Sequence, residues 1–336
     1  PNGFPRTPLN TEIPLLKRIF TPDEASLAAH MTRKMEDSSV IAERAGRPGD
    51  NDVFIELKNM ARRGLLWIDR ETKPPRFRLA PFVVGVYEAQ LYNLDEEMAG
   101  LVEKYLADGG AAGIMKYDPA LHRVIPVQGA INAEWVLPYD DVKAIIMKAE
   151  QFAVRDCICR TQRAHLGHRC EFPLDNCLSF SVVAGPPTPD DITRDEALAI
   201  LNKAEETGLV HTVSNVIEGV GYVCNCCGCC CAILRGITDW GIDKSVAFAN
   251  YFAEVDSDQC DNCGTCIERC QVDAIAEADD VSVVERAKCI GCGLCVTGCP
   301  SGAVLLYPKP ENEIIQPPLN FAAWESERIK NRGLAG

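Results

Sequence analysis

Between residues 53 and 61 the apolar positions Val53, Phe54, Leu57, Met60 and Ala61 recur at three- and four-residue intervals. That is the stripe of a helix packed on one face. Asp50 is placed to cap this helix and Gly64 to end it. Upstream, Thr21-Pro22-Asp23-Glu24 is a capping box with proline at the first helical position. It predicts a helix running through Met31. Ser38 or Ser39 can cap a second helix through Ala45. After Gly64 the period shortens. Leu65–Ile68 and Arg76–Leu79 read as two strands around the polar turn Asp69–Pro75. Residues 1–20 hold Pro1, Pro5, Pro8 and Pro14, and read as an irregular extension.

Three helices followed by a hairpin resemble a winged helix–turn–helix, which assigns a winged-helix-like domain to residues 21–90. Its basic residues Arg62, Arg63, Lys73, Arg76 and Arg78 are balanced by Asp23, Glu24, Asp50, Asp52, Glu56 and Asp69. A DNA reader shows a basic excess, so docking to protein is the better reading. From residue 91 the pattern is mixed. Tyr139–Glu150 reads as a helix capped near Asp140, leading into a strand at Phe152–Val154 that delivers Cys157. Thr193 and Glu196 form another capping box, whose helix carries Leu198, Leu201 and Ala204 and stops at Gly208.

Composition changes this picture at one residue type. The chain has 336 residues, 47% hydrophobic and 24% charged, ordinary values for a globular protein with a full core. Its formal charge of −14 favours basic protein partners and argues against nucleic acid. The 18 cysteines imply either a disulfide framework or metal binding. Disulfide-dense proteins are short, secreted and poor in core. This chain shows neither a leader-like start nor an apolar run of the roughly 18 residues that a membrane helix needs. The expectation is a cytoplasmic protein whose thiols stay reduced and bind metal.

Eight cysteines form a duplicated motif. Cys260-x2-Cys263-x2-Cys266-x3-Cys270 recurs as Cys289-x2-Cys292-x2-Cys295-x3-Cys299-Pro300, offset by 29 residues. Three cysteines at i, i+3 and i+6 in a tight loop can turn three thiolates onto one cube, so the fourth must come from elsewhere. The segment resembles the bacterial two-cluster ferredoxins. In that family the fourth cysteine of each run serves the other cluster. The resemblance implies one [4Fe–4S] cluster on Cys260, Cys263, Cys266 and Cys299, and a second on Cys289, Cys292, Cys295 and Cys270. Gly264, Gly291 and Gly293 suit the tight loops. Gln271 departs from the family, which usually has proline there. Zinc-finger spacings differ from this one.

Ten more cysteines lie in the central region: Cys157, Cys159, Cys170, Cys177, Cys224, Cys226, Cys227, Cys229, Cys230 and Cys231. Cys224, Cys227 and Cys230 again stand at i, i+3 and i+6. If Cys157 and Cys159 lie on a strand, both point to one face. The ten can supply two cubanes, or one cubane plus a larger or unusual cluster. For Cys157, Cys159, Cys170 and Cys177, zinc and plain burial are further readings. Adjacent cysteine pairs resemble the CCG-type motifs of heterodisulfide-reductase-like proteins, which hold non-cubane clusters. Arg155, Arg160, Arg163, His165, His168 and Arg169 surround this region. Arg160, His168 and Arg169 are candidates for tuning a cluster's potential or holding an anion. His168 is also a candidate ligand. Pairing of these cations with Asp156, Glu171 and Asp175 is the structural alternative.

Cys157-Ile158-Cys159-Arg160, Cys170-Glu171, Cys177, the Cys224–Cys231 run and the C-terminal repeat together resemble a group of anaerobe 4Fe–4S binding proteins. The resemblance implies anaerobic electron transfer. The expected fold is multidomain α+β. It comprises an extension (1–20), the winged-helix-like domain (21–90), a central mixed α/β cysteine-rich domain (91–250), a ferredoxin-like two-cluster domain (251–308) and a tail (309–336). The expected role is an electron-transfer module of a larger anaerobic oxidoreductase, with protein redox partners and one or two further clusters in the central domain. A stand-alone reductase acting at the central cluster and a redox-responsive DNA-binding regulator are the rival readings. No dinucleotide or Walker fingerprint is present.

Overall fold

The computed structural model describes residues 3–49 and 51–334. The chain divides into two compact units. One runs up to Ile114 and includes Thr161–His168; the other holds Met115–Arg160 and everything from Arg169 on.

The first unit begins with α1 (Glu12–Ile19), where the sequence suggested an irregular extension. Pro14 is harmless there because it lies in the first turn, whose N–H groups have no intrahelical acceptor. Leu15 and Ile19 of α1 are buried. Next come α2 (Pro22–Ala29), with the full Thr21/Glu24 capping box, β1 (Glu36–Asp37) and α3 (Ser38–Arg44). Asp37, not a serine, occupies the α3 N-cap position. Then follow α4 (Asn51–Arg62), β2 (Leu66–Asp69) and β3 (Arg76–Leu79). The proposed cap Asp50 lies outside the described residues. The three strands form an antiparallel sheet in the order β1-β3-β2. Val53, Leu57 and Met60 of α4 and Phe77 of β3 make its core. Two more helices, α5 (Glu96–Tyr105) and α6 (Ala111–Met115), follow.

The second unit is built on β4 (His122–Ile125), α7 (Val142–Met147), β5 (Gln151–Asp156), α8 (Ile158–His165), β6 (Asp175–Ser181), β7 (Asp191–Ile192), α9 (Arg194–Thr207), β8 (Val210–Ser214) and β9 (Tyr222–Cys226). The residues of α8 after Arg160 are counted with the first unit. Six strands form one sheet in the order β4-β8-β9-β6-β5-β7. Its core joins Phe152, Leu178, Val213 and Val223 of the strands to Val142 and Ile146 of α7 and Leu201 of α9. Asp141, not Asp140, caps α7 through the Ala144 N–H. Asp140 is instead buried against Arg123 at 2.7 Å. α9 carries its capping box and ends at Gly208, whose φ of 92° is left-handed.

The chain continues through α10 (Ala232–Thr238) into β10 (Tyr251–Val255), α11 (Thr265–Glu268), β11 (Ile275–Ala278), β12 (Val281–Val284), α12 (Leu294–Thr297) and β13 (Val304–Pro308). β10 pairs antiparallel with β13, and β11 with β12. This ferredoxin-like part is bound to the rest of its unit by main chain: the Val127 N–H donates to the Cys292 carbonyl and the Ala249 N–H to that of Ile290. The tail forms α13 (Phe321–Asn331), capped by Asn320. It packs along the unit, with Trp324 Nε1 donating to the Ala120 carbonyl and Arg328 to that of Pro119. No helix among the described residues is long and apolar enough to cross a membrane.

Candidate metal centres

The 29-residue repeat is visible as backbone. α11 and α12 are each four residues long, and each follows a left-handed glycine: Gly264 at φ 74° and Gly293 at φ 76°. In both halves two cysteines precede the helix, one lies in it and one follows it. A Cβ on Gly291, also left-handed, would stand 2.4 Å from the Tyr251 carbonyl oxygen. The loop therefore closes on the neighbouring strand only with glycine. A cavity in this part is lined by Cys270, Cys289, Cys292 and Cys295, walled by apolar groups such as Val272 and Ile290. One thiol there comes from the first repeat and three from the second. Cys260, Cys263, Cys266 and Cys299 occupy the corresponding places around α11 and after α12.

Burial pushes the Cys270 thiol up and Cys292 up to about 12, and Cys295 rises too. Such thiols ionise only against a compensating positive charge, which a metal supplies on binding. The Cys270 sulfur already accepts the Ala274 N–H at 3.2 Å. Cys299 moves the other way: burial alone would raise it, but hydrogen bonds from Ser301 and nearby backbone outweigh that and lower it. The donor set, the N–H contacts and the glycine loops fit iron–sulfur clusters.

The central cysteines follow from strand alternation. Leu178 and Val223 face the helices α7 and α9, so Cys177 on β6 and Cys224 and Cys226 on β9 face away. Cys177 and Cys224 are direct cross-strand partners. Cys157 and Cys159 are not both on a strand, as the sequence suggested: β5 ends at Asp156, and Cys159 lies in the first turn of α8. They still reach the same place, because the turn into the helix aims both thiols back at the sheet. Cys157 neighbours Cys159, Cys159 neighbours Cys231, and Cys231 neighbours Cys226. Cys226 in turn neighbours Cys224, which neighbours Cys177. Six thiols thus form one arc. Hydrogen bonds from Cys224 and Cys231 lower Cys226 to about 6.

The other four separate from the arc. Cys170 Sγ lies 3.8 Å from Cys227 and 3.7 Å from Cys229, and Cys229 lies 3.7 Å from Cys230. All four sulfurs fall within 4.8 Å of one another. Hydrogen bonds from Cys229 and Cys230 hold the Cys227 thiol far below its usual range. The spacing triplet Cys224, Cys227 and Cys230 is divided between the two groups, because Cys224 is fixed by β9 while Cys227 lies beyond its end.

Arg160 is 2% exposed. Its Nη1 donates to the Pro173 carbonyl at 3.0 Å and Asn176 Oδ1 at 2.7 Å, and its Nη2 donates to the Asn225 carbonyl at 2.8 Å. No carboxylate pairs with it among the described residues. Burial works against its charge, but Cys157 and Cys226 of the arc and Cys227 and Cys170 of the four-thiol group hold it protonated. Arg163 instead pairs with Glu103 at 3.3 Å. Arg169 is exposed. His168 Nε2 is buried without a hydrogen-bond partner and is not one of the four clustered ligands.

The sequence reading missed two histidines. His211 Nδ1 lies 2.7 Å from Asn225 Oδ1, and Asn225 Nδ2 donates to the Asn176 carbonyl. His122 lies 3.2 Å from Thr212 Oγ1, which is 3.5 Å from the Cys226 sulfur. For His211, its place with Thr212 between the apolar residues Val210 and Val213 was the available signal.

The two cysteine regions touch. The Gly228 N–H donates to Gln271 Oε1 at 2.7 Å, and a Cβ on Gly228 would lie 2.3 Å from the Gln271 carbonyl oxygen. Gln271 directly follows Cys270. The residue that departs from the ferredoxin pattern is thus the one that grips the central cysteine loop. Arg269 strengthens the joint by donating to the carbonyls of Leu294, Glu205 and Glu206.

Searches among curated proteins and solved structures find no match to this chain. The family model of the 4Fe-4S dicluster domain does match, over residues 253–306, and such a domain implies [4Fe–4S] clusters in that segment.

Proposed function

We propose that this protein is an electron-transfer module of an anaerobic oxidoreductase. Two ferredoxin-type clusters exchange electrons with a further iron–sulfur centre on the central thiol arc. The contact of Gly228 with Gln271 carries this reading, because it joins the ligand loop of one ferredoxin cluster to the turn that follows Cys226, a thiol of the central arc. We assign the clusters in crossed fashion: Cys260, Cys263, Cys266 and Cys299 hold one, and Cys289, Cys292, Cys295 and Cys270 the other. The cavity lined by the second set supports that assignment. Cys157, Cys159, Cys177, Cys224, Cys226 and Cys231 are the ligands available to the central centre. Bound clusters supply one-electron chemistry. The chain's own part is to hold the thiolates, exclude water and place the Arg160 charge where it favours the reduced state.

Iron and sulfide analysis of anaerobically prepared protein, with electron paramagnetic resonance after reduction, tests the reading. About eight irons per chain, the content of two cubanes, would confine the clusters to the ferredoxin part. A larger content, with a further signal lost in Cys226→Ser, is the expected result. A reducing, cytoplasmic compartment suits so many free thiols.

The order α2-β1-α3-α4-β2-β3 supports a winged-helix-like fold for the first unit. A groove between α4 and the hairpin is lined by Lys58, Arg62, Arg70 and Lys73, which suits an acidic protein partner. DNA retardation at low salt that changes with redox state would favour a regulator instead.

A further inference from the structure

We infer that Cys170, Cys227, Cys229 and Cys230 form a separate site for one tetrahedral metal ion, zinc or mononuclear iron, and take no part in any iron–sulfur cluster. Size separates the two kinds of site. A zinc–sulfur bond of about 2.3 Å sets the edge of a regular tetrahedron of sulfurs at about 3.8 Å. Three of the six edges here, Cys170–Cys227, Cys170–Cys229 and Cys229–Cys230, measure 3.8, 3.7 and 3.7 Å. A cubane instead binds each thiolate to a different iron, so its four ligands stand apart by the width of the cluster. The same chain provides the contrast. Among the described residues this is the one set of three or more candidate ligands whose donor atoms all lie within 4.8 Å of one another; neither ferredoxin set does.

The surroundings suit a structural ion. Ala204, Leu209 and Phe172 pack around the buried sulfurs of Cys227 and Cys230. Gly228 gives the loop between Cys227 and Cys229 room against Gln271. Cys170 belongs to the loop between α8 and β6, so one ion would tie that loop to the turn after β9. The ion would thereby brace both sides of the buried Arg160. The inference does not depend on the electron-transfer reading, because it concerns four thiols that the proposed clusters do not use.

The test compares full-length, anaerobically prepared protein with Cys229→Ser and Cys170→Ser. Metal, iron and acid-labile sulfide are counted together. Each variant should lose one equivalent of zinc while iron and sulfide stay unchanged. If the site holds iron, each should instead lose one iron without sulfide, and the oxidised wild type should show a high-spin ferric signal that the variants lack. Loss of several irons with matching sulfide, or zinc retained in full by both variants, would overturn the inference. Should the variants fail to fold, X-ray absorption at the zinc or iron edge of the wild type decides. Four sulfurs at about 2.3 Å around an isolated zinc are expected. Iron found only with iron neighbours, and no zinc, would contradict it.

Discussion

Replacing Arg160 by methionine removes a buried cation that faces both groups of central thiols, while keeping a side chain of comparable length. Three acceptors lose their donor: the carbonyls of Pro173 and Asn225, and Asn176 Oδ1. Hydrogen bonds from a charged group contribute about 1.5–3 kcal/mol each, so three amount to roughly 5–9 kcal/mol if fully lost. That matches the whole stability of an ordinary domain, about 5–15 kcal/mol. Relaxation will return part of it. Arg160→Met should nonetheless unfold at markedly lower denaturant than wild type, and should load the central site poorly even when the ferredoxin part loads normally. Arg160→Lys separates charge from geometry. It keeps the cation but cannot span three acceptors, so it should recover central loading in part. The assay is anaerobic denaturant unfolding with metal counting on both variants. A midpoint for Arg160→Met within error of wild type, with full central loading, would refute the reasoning.

Further outcomes follow from other contacts. Gly228→Ala forces a methyl to 2.3 Å from the Gln271 carbonyl oxygen. It should cost about 1–3 kcal/mol in unfolding experiments and slow electron exchange between the ferredoxin clusters and the central centre in rapid-mixing spectroscopy. Asp140→Asn leaves the Arg123 charge buried without its counter-charge at 2.7 Å and should destabilise by about 3–5 kcal/mol in denaturant titration. Burial lowers His122 from 6.5 to about 4, so the unfolded chain binds the extra proton between those values. Stability is therefore full above pH 6.5 and falls as pH drops towards 4, by about 3 kcal/mol. His122→Phe should remove that part of the pH dependence, as read from unfolding midpoints of both proteins across the window.

The parts legible in the sequence are those governed by short spacing. Capping boxes at Thr21 and Thr193 each require only four residues, and both form as read. The ferredoxin repeat carries its loops and ligand order within about 40 residues. α1 was hidden because Pro14 looks like a breaker unless its place in the first turn is known. The partition of the ten central cysteines was hidden for a different reason. It depends on which face of β6 and β9 each thiol takes, and on where β9 ends relative to Cys226. Spacing alone suggested a Cys224-Cys227-Cys230 loop, but strand pairing of Cys177 with Cys224 takes precedence. Gln271 shows the same limit. In the sequence it is a missing proline, and only the approach of Gly228 gives it a purpose.

The most direct test of the electron path is an anaerobic reductive titration of the full chain that counts electrons taken up per protein. Two ferredoxin clusters accept one electron each. Uptake in the wild type should exceed two, and should fall in a Cys157→Ser/Cys226→Ser variant that keeps the ferredoxin signals. Equal uptake in the two proteins would contradict it.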